Sequence, residues 1–257
     1  MQRPIVLLGV GEMGGVFARG LLRLGHPVYP VTRATDVARL ATDLPQPEFV
    51  LIAVGEADLT EAIAKVPEPW RDRLALLQNE LLPRDFAHLD RPTVISVWFE
   101  KKPGQDAKVI VPSPAFGPHA ATLQRALAGL HIPVQVLTDA AQLSFELVVK
   151  NLYILTSNIA GLRTGGTVSE LWEHHADFTR AVADDVIAIQ EALTGERFDR
   201  EALFEAMLAA FAGDPAHRCM GRSAPARLER ALANADAHGL AVPVLRQIRA
   251  QAADANR

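Results

Sequence analysis

An apolar run, Ile5–Leu8, passes directly into Gly9, Val10, Gly11, Glu12, Met13 and Gly14, and no other stretch constrains the fold of this chain as closely. Four successive apolar residues read as a strand buried on both faces, as in the middle of a parallel sheet. The apolar residues Val16, Phe17, Leu21 and Leu24 continue as a helix that ends at Gly25, and Val28–Thr32 returns as a second strand. Strand, G-x-G-x-x-G turn, helix and strand make a βαβ unit, the setting in which this spacing holds a dinucleotide. The first glycine permits the tight turn, the second lets backbone N–H groups approach a pyrophosphate, and the third lets the helix pack on the strand. Val10, Glu12 and Met13 occupy the intervening positions, and Glu12 is expected to point to solvent. The helix start turns its positive dipole end to the phosphates.

The end of the second strand selects the dinucleotide, since an acid there binds the ribose 2′-hydroxyl of NAD and a guanidinium pairs with the 2′-phosphate of NADP. The residues there are Thr32 and Arg33, and no acid follows until Asp36. A planar Arg also stacks on an adenine ring. The expected cofactor is NADP(H).

Up to residue 138 short β-branched runs alternate with helical patterns, the signature of a parallel sheet. Candidate strands are Ile5–Leu8, Val28–Thr32, Phe49–Val54, Leu74–Leu77, Thr93–Trp98, Lys108–Val111 and Pro133–Leu137. The Pro-Gly turn near Lys101–Gly104 predicts a hairpin, and with it a sheet that is mixed at one edge. After Thr138 and Asp139 the apolar spacing becomes helical. Helices are expected over Ala140–Leu162, Thr167–Leu193, Arg200–Phe211, Ala224–His238 and from Pro243 onward. The fold class is therefore α/β: a Rossmann-type doubly wound sheet over 1–138 followed by an all-helical domain over 139–257.

Lys and Arg total 26 against 30 Asp and Glu among 257 residues, which disfavours a nucleic-acid binder with a basic surface. No run approaches the roughly 20 apolar residues of a membrane span. A single cysteine, Cys219, excludes an internal disulfide and a cysteine-based zinc site. A cytoplasmic protein without a metal is expected. The neighbours His174 and His175 point about 100° apart on a helix and cannot chelate together, and His217 with Cys219 lacks a third ligand. The acids Asp177, Asp184 and Asp185 read as a wet helix face.

The first helix of the second half carries Lys150 among apolar neighbours, the only basic residue between Arg125 and Arg163. At 100° per residue Ser157 lies nearly on its line, Asn158 lies about 80° round, and Asn151 shares a line with Asn158. A partly buried Lys donates a hydrogen bond to a substrate carbonyl and then a proton to the developing alkoxide. The spacing equally allows a Lys that extends to the surface or pairs with Glu146 one turn earlier.

These residues resemble the ketopantoate reductases, NADP-dependent enzymes with a Rossmann domain, a helical C-terminal domain and a catalytic Lys on the first long helix after the boundary. The resemblance covers the whole chain in architecture and only short motifs in sequence. It matches Gly9, Gly11 and Gly14 to the glycine loop and Arg33 to the NADP-selecting Arg, with Val54 and Gly55 after the third strand also toward the cofactor. Gln78 and Asn79 resemble the family's Q-N-G turn, whose Asn lies near nicotinamide and substrate, with Glu80 in place of the Gly. Lys150 matches the catalytic Lys, Asn158 a substrate-binding Asn eight residues later, and Ala237–Pro243 the family's ending. The chain departs from the pattern in three places. Ile154 replaces a second Asn, Gly55 or Glu56 replaces a Lys, and Ser223 stands where an acid holds the substrate hydroxyl. These departures bear on substrate recognition and weigh against ketopantoate itself, since a buried hydroxyl needs partners.

The implied function is reduction of a small 2-keto acid by NADPH. Lys150 and Asn79 would serve the chemistry, Asn158, Asn151 and Ser223 would face the substrate, and two copies would pair through the helical domain. Two alternatives stand beside it: a non-catalytic NADP-binding sensor or interaction protein, and an oxidoreductase like the β-hydroxyacid dehydrogenases, to which Glu12–Gly14 and Gly25–Arg33 are also similar.

Overall fold

The computed structural model describes residues 2–255. The chain divides into two compact units, Met1–Leu81 with Asp85–Leu143, and Leu82–Arg84 with Ser144–Arg257. In the first, the elements run β1 (Ile5–Leu8), α1 (Glu12–Arg23), β2 (Val28–Val31), α2 (Val37–Asp43), β3 (Val50–Ile52), α3 (Leu59–Ala64), β4 (Leu74–Leu76), α4 (Pro83–Phe86), β5 (Thr93–Ile95), β6 (Phe99–Glu100), β7 (Lys108–Val109), β8 (Ser113–Phe116), α5 (Ala120–Ala128) and β9 (Val134–Val136). Seven strands form one sheet in the order β2-β1-β3-β4-β5-β8-β9.

Strands β1, β3, β4 and β5 pair in parallel and are buried along their whole length, which explains why they read as unbroken apolar runs. Edge strand β2 tolerates Pro30, whose missing N–H removes no ladder bond there. Helix α1 lies close to α5: a Cβ on Gly20 would come 2.5 Å from the carbonyl oxygen of Ala126. Phe17 and Leu21 share a core with Leu123 and Leu127.

Two details differ from the sequence expectation. The sheet is mixed, but the reversal comes from Ser113–Phe116, which pairs antiparallel with β5 and parallel with β9. Pro112 and Pro114 hide this strand from propensity, and Ser113 accepts a hydrogen bond from the Trp98 N–H at 2.9 Å. The expected hairpin exists as β6 and β7, a separate two-stranded ribbon rather than the sheet's edge.

The second unit is built on α6 (Ala140–Thr164), α7 (Val168–Thr194), α8 (Arg200–Gly213), α9 (Ala224–Ala237) and α10 (Pro243–Ala255). Helix α6 is apolar around most of its circumference and buries Leu147, Val148, Leu152 and Ile159, as expected of a helix in the middle of a bundle. Thr167 and Glu170 form a reciprocal capping box at the start of α7, and Gly195, at φ 73°, ends it. Asp185 on α7 accepts the backbone N–H groups of Val244 and Leu245 at 2.8 and 3.1 Å, so it caps α10 instead of lying on a wet face. No helix among the described residues is long and apolar enough to cross a membrane.

Candidate functional site

The glycine loop sits at the carboxyl ends of β1 and β3, where the strand order reverses direction. Open α/β sheets leave their ligand crevice at such a point. Three glycines there answer to three different demands. Gly9 adopts φ 95°, and a Cβ on it would lie 2.6 Å from the carbonyl oxygen of Ala53, just beyond β3. A Cβ on Gly14 would overlap the carbonyl oxygen of Gly9. Gly11 has an ordinary φ of −73° and nothing within 4 Å of where its Cβ would be. Folding therefore requires Gly9 and Gly14, whereas Gly11 leaves open space at the N-terminus of α1, where no side chain caps the helix. A phosphate approaching the backbone fits that space.

Around the loop, Val10 is half exposed and Met13 packs against the core. Glu12 does not simply project into solvent, since its Oε2 accepts a hydrogen bond from Lys101 Nζ at 2.8 Å. Val54 and Gly55 follow β3, and Gln78 Nε2 donates to the carbonyls of Ile52 and Val54 at 2.7 and 3.3 Å. Gln78 thus ties β4 to the end of β3 and leaves Asn79 exposed at the carboxyl end of β4. Glu80 takes φ 58°, a left-handed conformation that a glycine adopts without strain.

After β2, Thr32 and Thr35 close a tight turn, with the Thr35 N–H on the Thr32 carbonyl at 3.1 Å and the Thr32 N–H on Thr35 Oγ1 at 2.9 Å. Arg33 is exposed in this turn. Asp36, the nearest acid, accepts the Arg39 N–H at 3.0 Å as the N-cap of α2, so its carboxylate serves the helix.

In the helical unit, Lys150 is 9% exposed, and its Nζ lies 5.8 Å from the centre of the Tyr153 ring. Phe211 and His217 also pack on Tyr153, at 5.6 and 5.9 Å between ring centres. His217 Nδ1 stands 3.6 Å from the buried Asp214. Burial pushes the Glu146 carboxyl above the usual range.

The polar residues of α6 separate by their partners. Asn151 Nδ2 donates to Gln190 Oε1 on α7 at 2.9 Å, with both residues buried. Ser157 Oγ donates to its own helix, to the Tyr153 carbonyl at 2.7 Å. Asn158 is buried and accepts Arg227 Nη1 at 3.0 Å. Ile154 is buried one turn after Lys150, and Ser223 is exposed at the start of α9 without capping it. Arg227 escaped sequence reasoning because 69 residues separate it from Asn158 and no periodicity links the two helices.

Cys219 is buried, which pushes its thiol up to about 11, so it is a packed residue rather than a nucleophile. Gly161 makes room for it, since a Cβ there would lie 2.7 Å from the Cys219 Cβ.

An α/β unit followed by an all-helical unit is the two-unit fold found in solved ketopantoate reductases. Among solved structures the chain is similar to a 2-dehydropantoate 2-reductase from Methylococcus capsulatus, with a TM-score of 0.71 at 13% identity over 96% of this chain and 95% of the other. A PanE/ApbA family ketopantoate reductase from Ralstonia eutropha JMP134 gives 0.68 at 17% identity, covering 97% of each chain. D-mandelate dehydrogenase, solved with NADH and anilino(oxo)acetate, gives 0.64 at 12% identity over 98% of this chain and 99% of that one. No family model and no curated protein matches the sequence.

Proposed function

We propose that this protein is a reductase of small 2-keto acids that uses NADP(H). The observation that carries the reading is Gly11, a glycine that folding does not demand, with open space at the uncapped start of α1. In this reading Gly9, Val10, Gly11, Glu12, Met13 and Gly14 line the pyrophosphate, and Val54 and Gly55 border it. Thr32 and the exposed Arg33 meet the 2′-phosphate, an assignment favoured by the engagement of Asp36 in capping α2. NADPH supplies a hydride to the keto carbon. Lys150 holds the ketone oxygen by a hydrogen bond and protonates it as the alkoxide forms. Asn79 orients the reactants. Asn158, its amide oxygen held by Arg227, faces the substrate with Ser223, and Asn151 supports that side of α6 through Gln190.

The buried Ile154 favours a keto acid with an apolar substituent over one with a hydroxyl to be paired. The D-mandelate dehydrogenase neighbour was solved with an aromatic oxoacetate, anilino(oxo)acetate, and one ketopantoate reductase neighbour is described as dimeric. On the same reading two copies of this protein pair, and the reaction takes place in the cytoplasm.

The test is NADPH oxidation at 340 nm against a panel of aliphatic and aromatic 2-keto acids, with NADPH and NADH binding titrated in parallel. Turnover is expected, with NADPH bound more tightly than NADH. Lys150→Ala should lower kcat by ~10²–10⁴-fold and leave the NADPH Kd nearly unchanged. Tight NADPH binding without turnover of any keto acid would replace the reductase by a nucleotide sensor.

A further inference from the structure

The loop that would receive a pyrophosphate carries an acid at the first residue of its helix, Glu12. Two phosphates brought beside an ionised carboxylate repel it, and a cation close by offsets that repulsion. That cation comes from the β6–β7 ribbon. Phe99, on β6, packs on Phe17 of α1 with ring centres 6.1 Å apart, which fixes the ribbon against the helix. Two residues on, Lys101 Nζ reaches Glu12 Oε2 at 2.8 Å and the carbonyl of Lys102 at 2.7 Å. The Lys101 side chain is largely buried while that of Glu12 is about half exposed. The lysine is therefore the more enclosed member of the pair, and the carboxylate has solvent to turn into. Gly11, immediately before Glu12, has open space around it.

We propose that Lys101 is a ligand of the dinucleotide pyrophosphate, and that Glu12 occupies its ammonium group until the nucleotide arrives. This rests on the dinucleotide reading of the loop given above. A lysine is suited to the exchange because its compact charge and three donors turn from a carboxylate to a phosphate without a fixed fork geometry. Binding then releases Glu12 to solvent, and the ribbon closes one side of the phosphate site.

The experiment measures NADPH dissociation constants for the wild type, Lys101→Ala, Glu12→Gln and the double variant, with thermal melts to confirm folding. Glu12→Gln should tighten NADPH several-fold, because the resident competitor and the repulsion both disappear. Lys101→Ala should weaken NADPH by ~10-fold or more in either background, equivalent to about 1.4 kcal/mol, and should flatten the dependence of binding on salt. Lys101→Arg should restore most of the affinity. Adenosine 2′-monophosphate, which has no pyrophosphate, should bind the wild type and Lys101→Ala equally.

If Lys101→Ala has no effect once Glu12 is Gln, the lysine is only the counter-ion of Glu12 and the proposal is wrong. If adenosine 2′-monophosphate weakens in parallel with NADPH, the effect is not at the pyrophosphate, and the proposal again fails. A wild type that binds no dinucleotide overturns the cofactor reading itself.

Discussion

The two units differ in how function is written into them. In the α/β unit the candidate cofactor loop is made of backbone: Gly9 and Gly14 are imposed by carbonyl groups that approach too closely for a Cβ, while nothing in the fold requires Gly11 and its Cβ position is open. The demand at Gly14 is set within the turn from β1 into α1, and the demand at Gly9 by the φ of that turn together with the chain just beyond β3. In the helical unit the candidate residues, Ser223 apart, are side chains on one helix, alike in type. What separates them is the helix each one meets: Asn151 meets α7, Asn158 meets α9, and Ser157 bonds back to its own backbone. Backbone sites of the first kind can be read along the chain, and side-chain sites of the second kind acquire their roles only after packing.

The sharpest way to break this comparison lies within the glycine loop. Gly9→Ala places a side chain against Ala53 at a φ of 95°, and should destabilise the protein by ~2–3 kcal/mol as well as abolish nucleotide binding. Gly11→Ala should melt within ~0.5 kcal/mol of the wild type yet lose NADPH affinity by tenfold or more. Equal losses of stability in calorimetry would mean that both glycines serve folding, and the open space at Gly11 would no longer argue for a ligand.

A smaller effect probes α6. Asn151→Leu leaves the buried Gln190 amide without its partner and should lower stability by ~1–3 kcal/mol. The double change with Gln190→Leu should recover part of that loss. An unchanged melting temperature with a raised KM would instead give Asn151 to the substrate.

The smallest effect concerns Glu191 on α7. Burial pushes its carboxyl upward, but hydrogen bonds from Arg200, the Phe198 N–H and Arg197 outweigh it and leave the pKa below the usual carboxylate range. The ionised form is thus favoured by folding. Its contribution is present above the unfolded pKa of about 4.3 and is lost as the pH falls through the lower folded value. Glu191→Gln should cost ~1–2 kcal/mol in denaturant titrations near pH 7, and the difference from the wild type should shrink toward pH 3–4. A difference that holds constant down to that pH would assign the loss to packing.

Much of this molecule can be read without coordinates. The spans expected for α6–α9 agree with the structure to within about two residues at either end, and α10 starts at Pro243 as expected, because apolar spacing, caps and glycines at the breaks all act within a turn or two of chain. Strand β8 could not be read in the same way. Its prolines argue against a strand, and it is one because β5 and β9 flank it. Glu80 stands where the resemblance has a glycine, and its φ of 58° records the turn that makes a glycine suitable there.

By itself, then, the sequence determined the long helices, the glycine loop and the placing of Lys150 in an apolar helix, since each shows in a pattern of neighbours along the chain. The tertiary structure alone decided that Lys101 meets Glu12, that Arg227 holds Asn158, that Gln190 takes Asn151 and that Asp185 caps α10. Each of these joins residues from different elements, and a hydrogen bond requires two groups within about 3 Å, which no periodicity along a single helix or strand can specify.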